Sequence, residues 1–159
     1  MPKTAQKSSK TENMDAIELL KADHKKVKEL FDQFEDSEDA QEKKQLAEQA
    51  IKELKVHAEI EEEIFYPAVR ASIEDEENLM NEAEEEHHVV KVLIQELEGM
   101  EEVDERYEAK FTVLAENVRH HIKEEEGEML PEAKKAKLDM DELGEEMAQK
   151  KQELETAQV

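Results

Sequence analysis

At 159 residues the chain is long enough for one domain around a single core, and the absence of cysteine removes disulfides, thiolate ligands and cysteine-held iron–sulfur clusters from consideration. A net charge of −23, from 22 basic and 45 acidic residues, opposes nucleic acid and anionic membrane surfaces as partners. Only three glycines and three prolines interrupt a sequence rich in Glu, Lys, Ala and Leu, which predicts an all-α fold.

Residues 1–13 are polar, with mixed Lys, Ser and Thr, and are expected to form a disordered tail. The opening MPKTAQKSSK lacks the apolar stretch of a signal peptide, and no run approaches about 18 apolar residues, so a cytoplasmic location is expected. From about Met14, the residues Ile17, Leu20, His24, Val27, Leu30, Phe31 and Phe34 recur at helical steps. Asp36, Ser37 and Asp39 supply turn and N-cap chemistry before a second helix, expected from about Ala40 to Tyr66. Its inner stripe holds Leu46, Ala50, Ile51, Leu54, His57, Glu61, Ile64 and Phe65, and Pro67 is expected to kink or end it.

A third helix is predicted from about Glu74 to Leu97, through Met80, Ala83, His87, Val90, Leu93 and Ile94, with Gly99 as its stop. A fourth starts near Val103 and carries Tyr107, Phe111, Leu114, Val118, His121 and Glu125 before Gly127 and Pro131. Residues 136–159 read as a C-terminal amphipathic helix, with Met140, Leu143, Met147 and Leu154 against the bundle. Short connections force neighbouring helices antiparallel, which gives an up-down-up-down four-helix bundle over 14–135 with one additional helix.

The two halves repeat. His24 on His87 aligns Val27, Leu30, Phe31 and Phe34 with Val90, Leu93, Ile94 and Leu97. His57 on His121 aligns Glu61 with Glu125 and Pro67 with Pro131. A histidine and a glutamate four apart on a helix face the same way, and four helices carrying them can converge nitrogen and oxygen donors on cations. Spacing alone is weak where 45 of 159 residues are acidic, and the helix face discriminates better. His121 shares its stripe with Phe111, Leu114 and Val118, whereas His120 lies with Asn117 and Glu124. By the same test His87 faces inward and His88 outward. Buried carboxylates at 61 and 125, with no lysine or arginine on the inner stripes, need a cation. Four imidazoles and two carboxylates exceed a tetrahedral zinc and are too nitrogen-rich for calcium or magnesium. Shared between two ions, they leave positions open, and iron suits them best, with manganese or a mixed pair also compatible.

The order His24, His57-A-E-I-Glu61, His87, His121-I-K-E-Glu125, with EEEIFYP and EEEGEMLP at the paired motifs, resembles the hemerythrin-type HHE cation-binding domain over about 14–135. The tail LDMDELGEEMAQKKQEL is similar to the C-terminal extension of that domain in bacterial single-domain members. The resemblance implies a non-haem di-iron centre with His24, His57, Glu61, His87, His121 and Glu125 as ligands and an oxo or hydroxo bridge. Oxygen-transport members use a fifth histidine and an aspartate in the last motif; Glu125 stands there instead. The expected function is binding or sensing of dioxygen or a related diatomic or peroxide ligand by a monomer or homodimer. The alternatives are peroxide decomposition, ferrous-iron oxidation or nitric-oxide chemistry, for which Tyr66 and Tyr107 are candidate proton or electron donors, or iron buffering.

Overall fold

In a computed structural model the described residues are 14–73 and 77–157, and all their regular structure is helical. Four long helices, α1 (Ala16–Asp36), α2 (Ala40–Ile60), α4 (Glu77–Glu98) and α5 (Glu105–Glu124), form the bundle. Short helices α3 (Tyr66–Ser72) and α6 (Leu130–Lys135) prolong α2 and α5, and α7 (Met140–Ala157) packs across α1 and α2. The expected tail and the start of the third helix near Glu74 lie outside the described residues.

Capping explains the helix starts. Asp15 and Glu18 form a reciprocal box, the Glu18 amide donating to Asp15 Oδ1 at 2.8 Å and the Asp15 amide to Glu18 Oε1 at 3.2 Å. Asp104 accepts from the Tyr107 amide, which moves the start of α5 from Val103 to Glu105. Asp39 occupies the N-cap of α2 but makes no side-chain cap bond. Ser37 serves that corner instead, its hydroxyl accepting from the Asp39 amide and donating to Glu42.

Neither Pro67 nor Pro131 ends its helix. Each is preceded by one π-helical turn, Glu61–Phe65 and Glu125–Met129, after which α-helix resumes. The Tyr66 amide donates to the Glu61 carbonyl and the Leu130 amide to the Glu125 carbonyl, five residues back. A proline in regular α-helix removes one amide hydrogen and collides with the preceding turn; widening that turn accommodates the ring. The widening also has a geometric effect. Residues five apart diverge by about 140° in an α-helix but much less in a π turn, whose hydrogen bond joins i to i+5, so the Tyr66 hydroxyl reaches Glu61.

Two apolar clusters bracket a polar layer. One gathers Val27, Phe31, Phe34, Leu54, Ile94, Phe111, Leu114 and Val118; the other gathers Leu19, Leu20, Ile60, Phe65, Met80, Met129, Leu130 and Met147. Through Met147, α7 belongs to the second cluster. Its Gly144 permits this docking, because a Cβ there would collide with the backbone of Met14 and Asp15 at the start of α1.

Candidate metal centre

Between the two clusters lie the buried polar residues found among the described positions: Asp23, His24, His57, Glu61, His87, His121 and Glu125. Six of these seven are the predicted ligands. His88 and His120 point outward, as their flanking glutamates predict. Glu61 is 0 % and Glu125 1 % exposed, so neither carboxylate is solvated by bulk water.

The donors divide into two sets, His24, His57, Glu61 and Glu125 converging on one side and Glu61, His87 and His121 on the other, with the second oxygen of Glu125 beside His121. On one side His24 Nε2 lies 3.0 Å from Glu125 Oε1, and His57 Nε2 lies 3.3 Å from Glu61 Oε2. On the other, His87 Nε2 is 3.0 Å from Glu61 Oε1 and His121 Nε2 is 3.4 Å from Glu125 Oε2. Each carboxylate therefore turns one oxygen to each histidine pair. Within each pair the rings meet edge to face, with centroids 5.0 Å apart for His24 and His57 and 4.9 Å for His87 and His121.

Four atoms of the first set, His24 Nε2, His57 Nε2, Glu61 Oε2 and Glu125 Oε1, are buried and lack a hydrogen-bond partner. Atoms of these residues all fall within 4.8 Å of one another. Metal–ligand bonds of about 2.1 Å put adjacent octahedral donors about 3 Å apart. Close approach without hydrogen-bond alignment is the arrangement a cation at their midst requires, and the donor set fits one. The second set differs because Tyr66 enters it. Its hydroxyl donates to Glu125 Oε2 at 2.6 Å and lies 3.1 Å from Glu61 Oε1, 3.2 Å from His87 Nε2 and 3.3 Å from His121 Nε2. Tyr107, the other tyrosine considered, is remote from the centre and packs beneath Lys44 near the α5 N-terminus.

Every imidazole has its outer nitrogen held by an acid. His24 Nδ1 pairs with Glu126 at 2.7 Å, His57 Nδ1 with Asp23 at 3.0 Å, His87 Nδ1 with Glu62 at 2.7 Å and His121 Nδ1 with Glu86 at 2.6 Å. Donation from Nδ1–H fixes the ring and leaves Nε2 facing inward. Sequence reasoning did not single out these four acids, although a signal existed. An acid immediately precedes each first histidine (Asp23, Glu86), and another immediately succeeds each inner glutamate (Glu62, Glu126). Cations extend the shell, with Lys91 on Glu62 at 2.6 Å and Lys151, from α7, on Asp23 at 2.7 Å.

Charge is balanced by mutual pairing. Burial opposes protonation of His121, but Glu125 and Glu86 outweigh it and raise the imidazole to about 10. His57 and His87 are likewise shifted upward against burial by Glu61 and by their outer acids. Burial and the nearby Glu125 raise Glu61, yet His57 and His87 bring it below the ordinary carboxylate range; Glu125 is held well below by His121 and His24 despite burial. Asp23, raised by burial, is brought down to about 2 by His57 and Lys151. A further group, Glu86, His120 and Glu124, lies outside the core, with Glu86 also on His121.

Among known proteins, a DNA nickase of Nostoc sp. (strain PCC 7120) is 29% identical over 118 residues, which are 74% of this chain and 33% of that protein. The chain thus spans about a third of that relative's length. The crystal structure of a Hemerythrin HHE cation binding domain-containing protein from Mycobacterium kansasii superposes with a TM-score of 0.77 at 27% identity, covering 91% of this chain and 89% of that one. The family model for the Hemerythrin HHE cation binding domain matches residues 15–133, the stretch that contains all six inward donors, and the chain belongs to that family.

Proposed function

We propose that this chain holds two iron ions through His24, His57, Glu61, His87, His121 and Glu125, and that it binds dioxygen or a related small oxidant there. The observation that carries the reading is the pair of buried carboxylates, each with one oxygen toward each histidine pair. Each ion would find two histidines and carboxylate oxygens of Glu61 and Glu125, fewer donors than an octahedral set, which favours iron, with manganese or a mixed pair as the competing occupants. A carboxylate-bridged iron pair, when bound, supplies the electrons for dioxygen or peroxide chemistry.

The protein's own part is positional. Asp23, Glu62, Glu86 and Glu126 orient the rings, and the two apolar clusters flank the centre. Reduced, iron-loaded protein exposed to oxygen is expected to gain near-ultraviolet charge-transfer absorption. Spectra indifferent to oxygen, in protein assayed at two irons per chain, would remove the reading.

One feature favours an enzymatic version. Tyr66 keeps a proton on its hydroxyl, since burial and the two glutamates raise it well above its ordinary value, and it holds that proton against Glu125. Peroxide decomposition, ferrous-iron oxidation and nitric-oxide reactions all consume or release protons. Turnover of peroxide or ferrous iron far beyond the bound metal count would establish it, whereas a single stoichiometric reaction would favour binding or sensing. Nucleic acid is not proposed as a partner: the Nostoc relative's name describes that protein, and a charge of −23 opposes phosphate backbones. No helix among the described residues is long and apolar enough to cross a membrane.

A further inference from the structure

A cavity of about 670 Å³ opens between α2 and α4 and reaches all four inner histidines. Dioxygen or peroxide occupies roughly the 30 Å³ of a water molecule, so the small-oxidant reading leaves most of this space unexplained. Its apolar walls are Val27, Leu54, Val90, Ile94, Val118 and Ile122, with the imidazoles at the inner end and charged side chains around the mouth. Cavities of this size and apolar lining are those that enclose organic molecules.

The internal repeat shows how the opening arises. Aligned on the histidines, Phe31 of the first half corresponds to Ile94 of the second, and Arg119 corresponds to Lys55. On the α1–α5 face, Arg119 lies over the Phe31 ring, 5.4 Å from its centroid, and pairs with Asp32 and Glu35. That face is covered. On the α2–α4 face, the smaller Ile94 replaces the ring, and Lys55 turns to Glu98 at 2.9 Å. Gln95 replaces Asp32, so no second acid draws the cation across, and Ala58 stands where the second repeat has Ile122. The space arises from specific reductions in side-chain size and not from loose packing of the bundle.

The rim selects by charge. Both lysines that line it are engaged, Lys55 by Glu98 and Lys91 by Glu62, while Glu59 and Glu63 add further negative charge near the mouth, partly offset by Lys150. An anionic amphiphile meets an acidic entrance with no free cation among the lining residues. We propose that the α2–α4 cleft binds a neutral, largely apolar organic molecule of about 10–20 heavy atoms, laid along the valine–leucine–isoleucine walls with one end at the inner imidazoles. The inference rests on the metal-centre reading for its functional meaning, since it makes an organic co-substrate or effector the second occupant of that site.

The test uses full-length protein, iron-loaded and metal-free, with two fluorescent probes of one ring skeleton. N-phenyl-1-naphthylamine is neutral, and 1-anilinonaphthalene-8-sulfonate carries an added sulfonate. Saturable binding of the neutral probe at one per chain is expected, with the sulfonate at least about tenfold weaker. Ile94→Phe restores the bulk found at Phe31, and Val90→Trp fills the cleft from its half-buried wall. Each is expected to weaken the neutral probe at least about tenfold while iron per chain and thermal midpoint stay unchanged. Absence of saturable binding, equal affinity for both probes, or retention of binding in whichever variants fold would overturn the proposal. Should the chain bind the neutral probe and lose it in the variants yet hold no iron, the cleft stands and the di-iron reading falls. Two irons per chain with no probe binding give the reverse.

Discussion

Tyr66→Phe removes one oxygen from the middle of the candidate centre and keeps the ring, so its effect isolates the hydroxyl. In the metal-free protein that hydroxyl is the closest hydrogen-bond donor to Glu125 Oε2, at 2.6 Å, and without it the nearest nitrogen is His121 Nε2 at 3.4 Å. Glu61 Oε1 loses less, because His87 Nε2 remains 3.0 Å away. A hydrogen bond to a charged group contributes about 1.5–3 kcal/mol, and the full desolvation penalty applies when the acceptor stays buried. With Glu125 1 % exposed, the upper half of that range, about 2–3 kcal/mol, is expected. For a chain of this size it corresponds to roughly 4–12 °C in thermal midpoint. Urea and thermal unfolding monitored by circular dichroism on chelator-treated protein measure it. The same variant, titrated with metal, is expected to bind more tightly at His87 and His121, because the hydroxyl competes with an ion for those donors, and to be unaltered at His24 and His57. Metal-free stability within about 0.5 kcal/mol of wild type, the scatter of an ordinary surface substitution, would show that the hydroxyl does not support a buried carboxylate and would refute the reasoning.

His57→Ala and His121→Ala are expected to cut bound metal sharply, while His88→Ala and His120→Ala retain two ions per chain; elemental analysis of the four variants decides. Lys151→Met removes the cation from a pair whose side chains are 20% and 8% exposed, at a cost of about 1–3 kcal/mol in urea unfolding. Lys150→Met, which removes only a solvent-screened pair with Glu59 and Glu63, is expected to leave the unfolding midpoint unchanged. Asp23 and Glu62 are each held at about 2, below their ordinary values, so the stability they contribute is fully present above about pH 4.5 and is lost as pH falls toward 2. His121 is raised to about 10, so its contribution to the metal-free protein is complete below about pH 6.5 and is lost as pH rises through 10. Metal binding must displace that proton, and the gap in thermal midpoint between loaded and chelated protein should widen from pH 7 to 9.5. A constant gap would contradict the protonation assigned to His121.

The four long helices and the six inward donors were legible because both obey one signal, the apolar stripe at helical spacing. His121 was separable from His120, and His87 from His88, by which neighbours shared their face. Other features escaped for different reasons. Acids fill 45 of 159 positions, so Asp23, Glu62, Glu86 and Glu126 were hidden among many of the same kind, and only their adjacency to the repeat marks them. Pro67 and Pro131 announced a break but not its form, since a proline is compatible with a kink, a stop or a widened turn. Tyr66 depended on that choice: in regular α-helix its ring would diverge from Glu61, and the π turn brings them together. Lys151 reaches Asp23 across 128 residues, a contact fixed by where α7 docks, and local pattern carries no record of it.

The same repeat that brings the six inward donors together also makes its departures informative. Two equivalent halves would yield two equivalent ion positions and two equivalent faces. Tyr66 corresponds to Leu130, so a phenol serves the His87–His121 position alone. Lys151 supports Asp23 and through it His57, while the corresponding outer acid, Glu86, has the exposed His120 at 3.8 Å. Ile94 and Lys55 in place of Phe31 and Arg119 open one face and leave the other covered. None of these three differences replaces an inward donor or its ring-orienting acid. Lys151 and the cleft residues act outside the donors, whereas the Tyr66 hydroxyl reaches among them on one side only. Their combined consequence is a centre whose two histidine pairs differ in what touches them, with the cleft that reaches the imidazoles opening on the α2–α4 side.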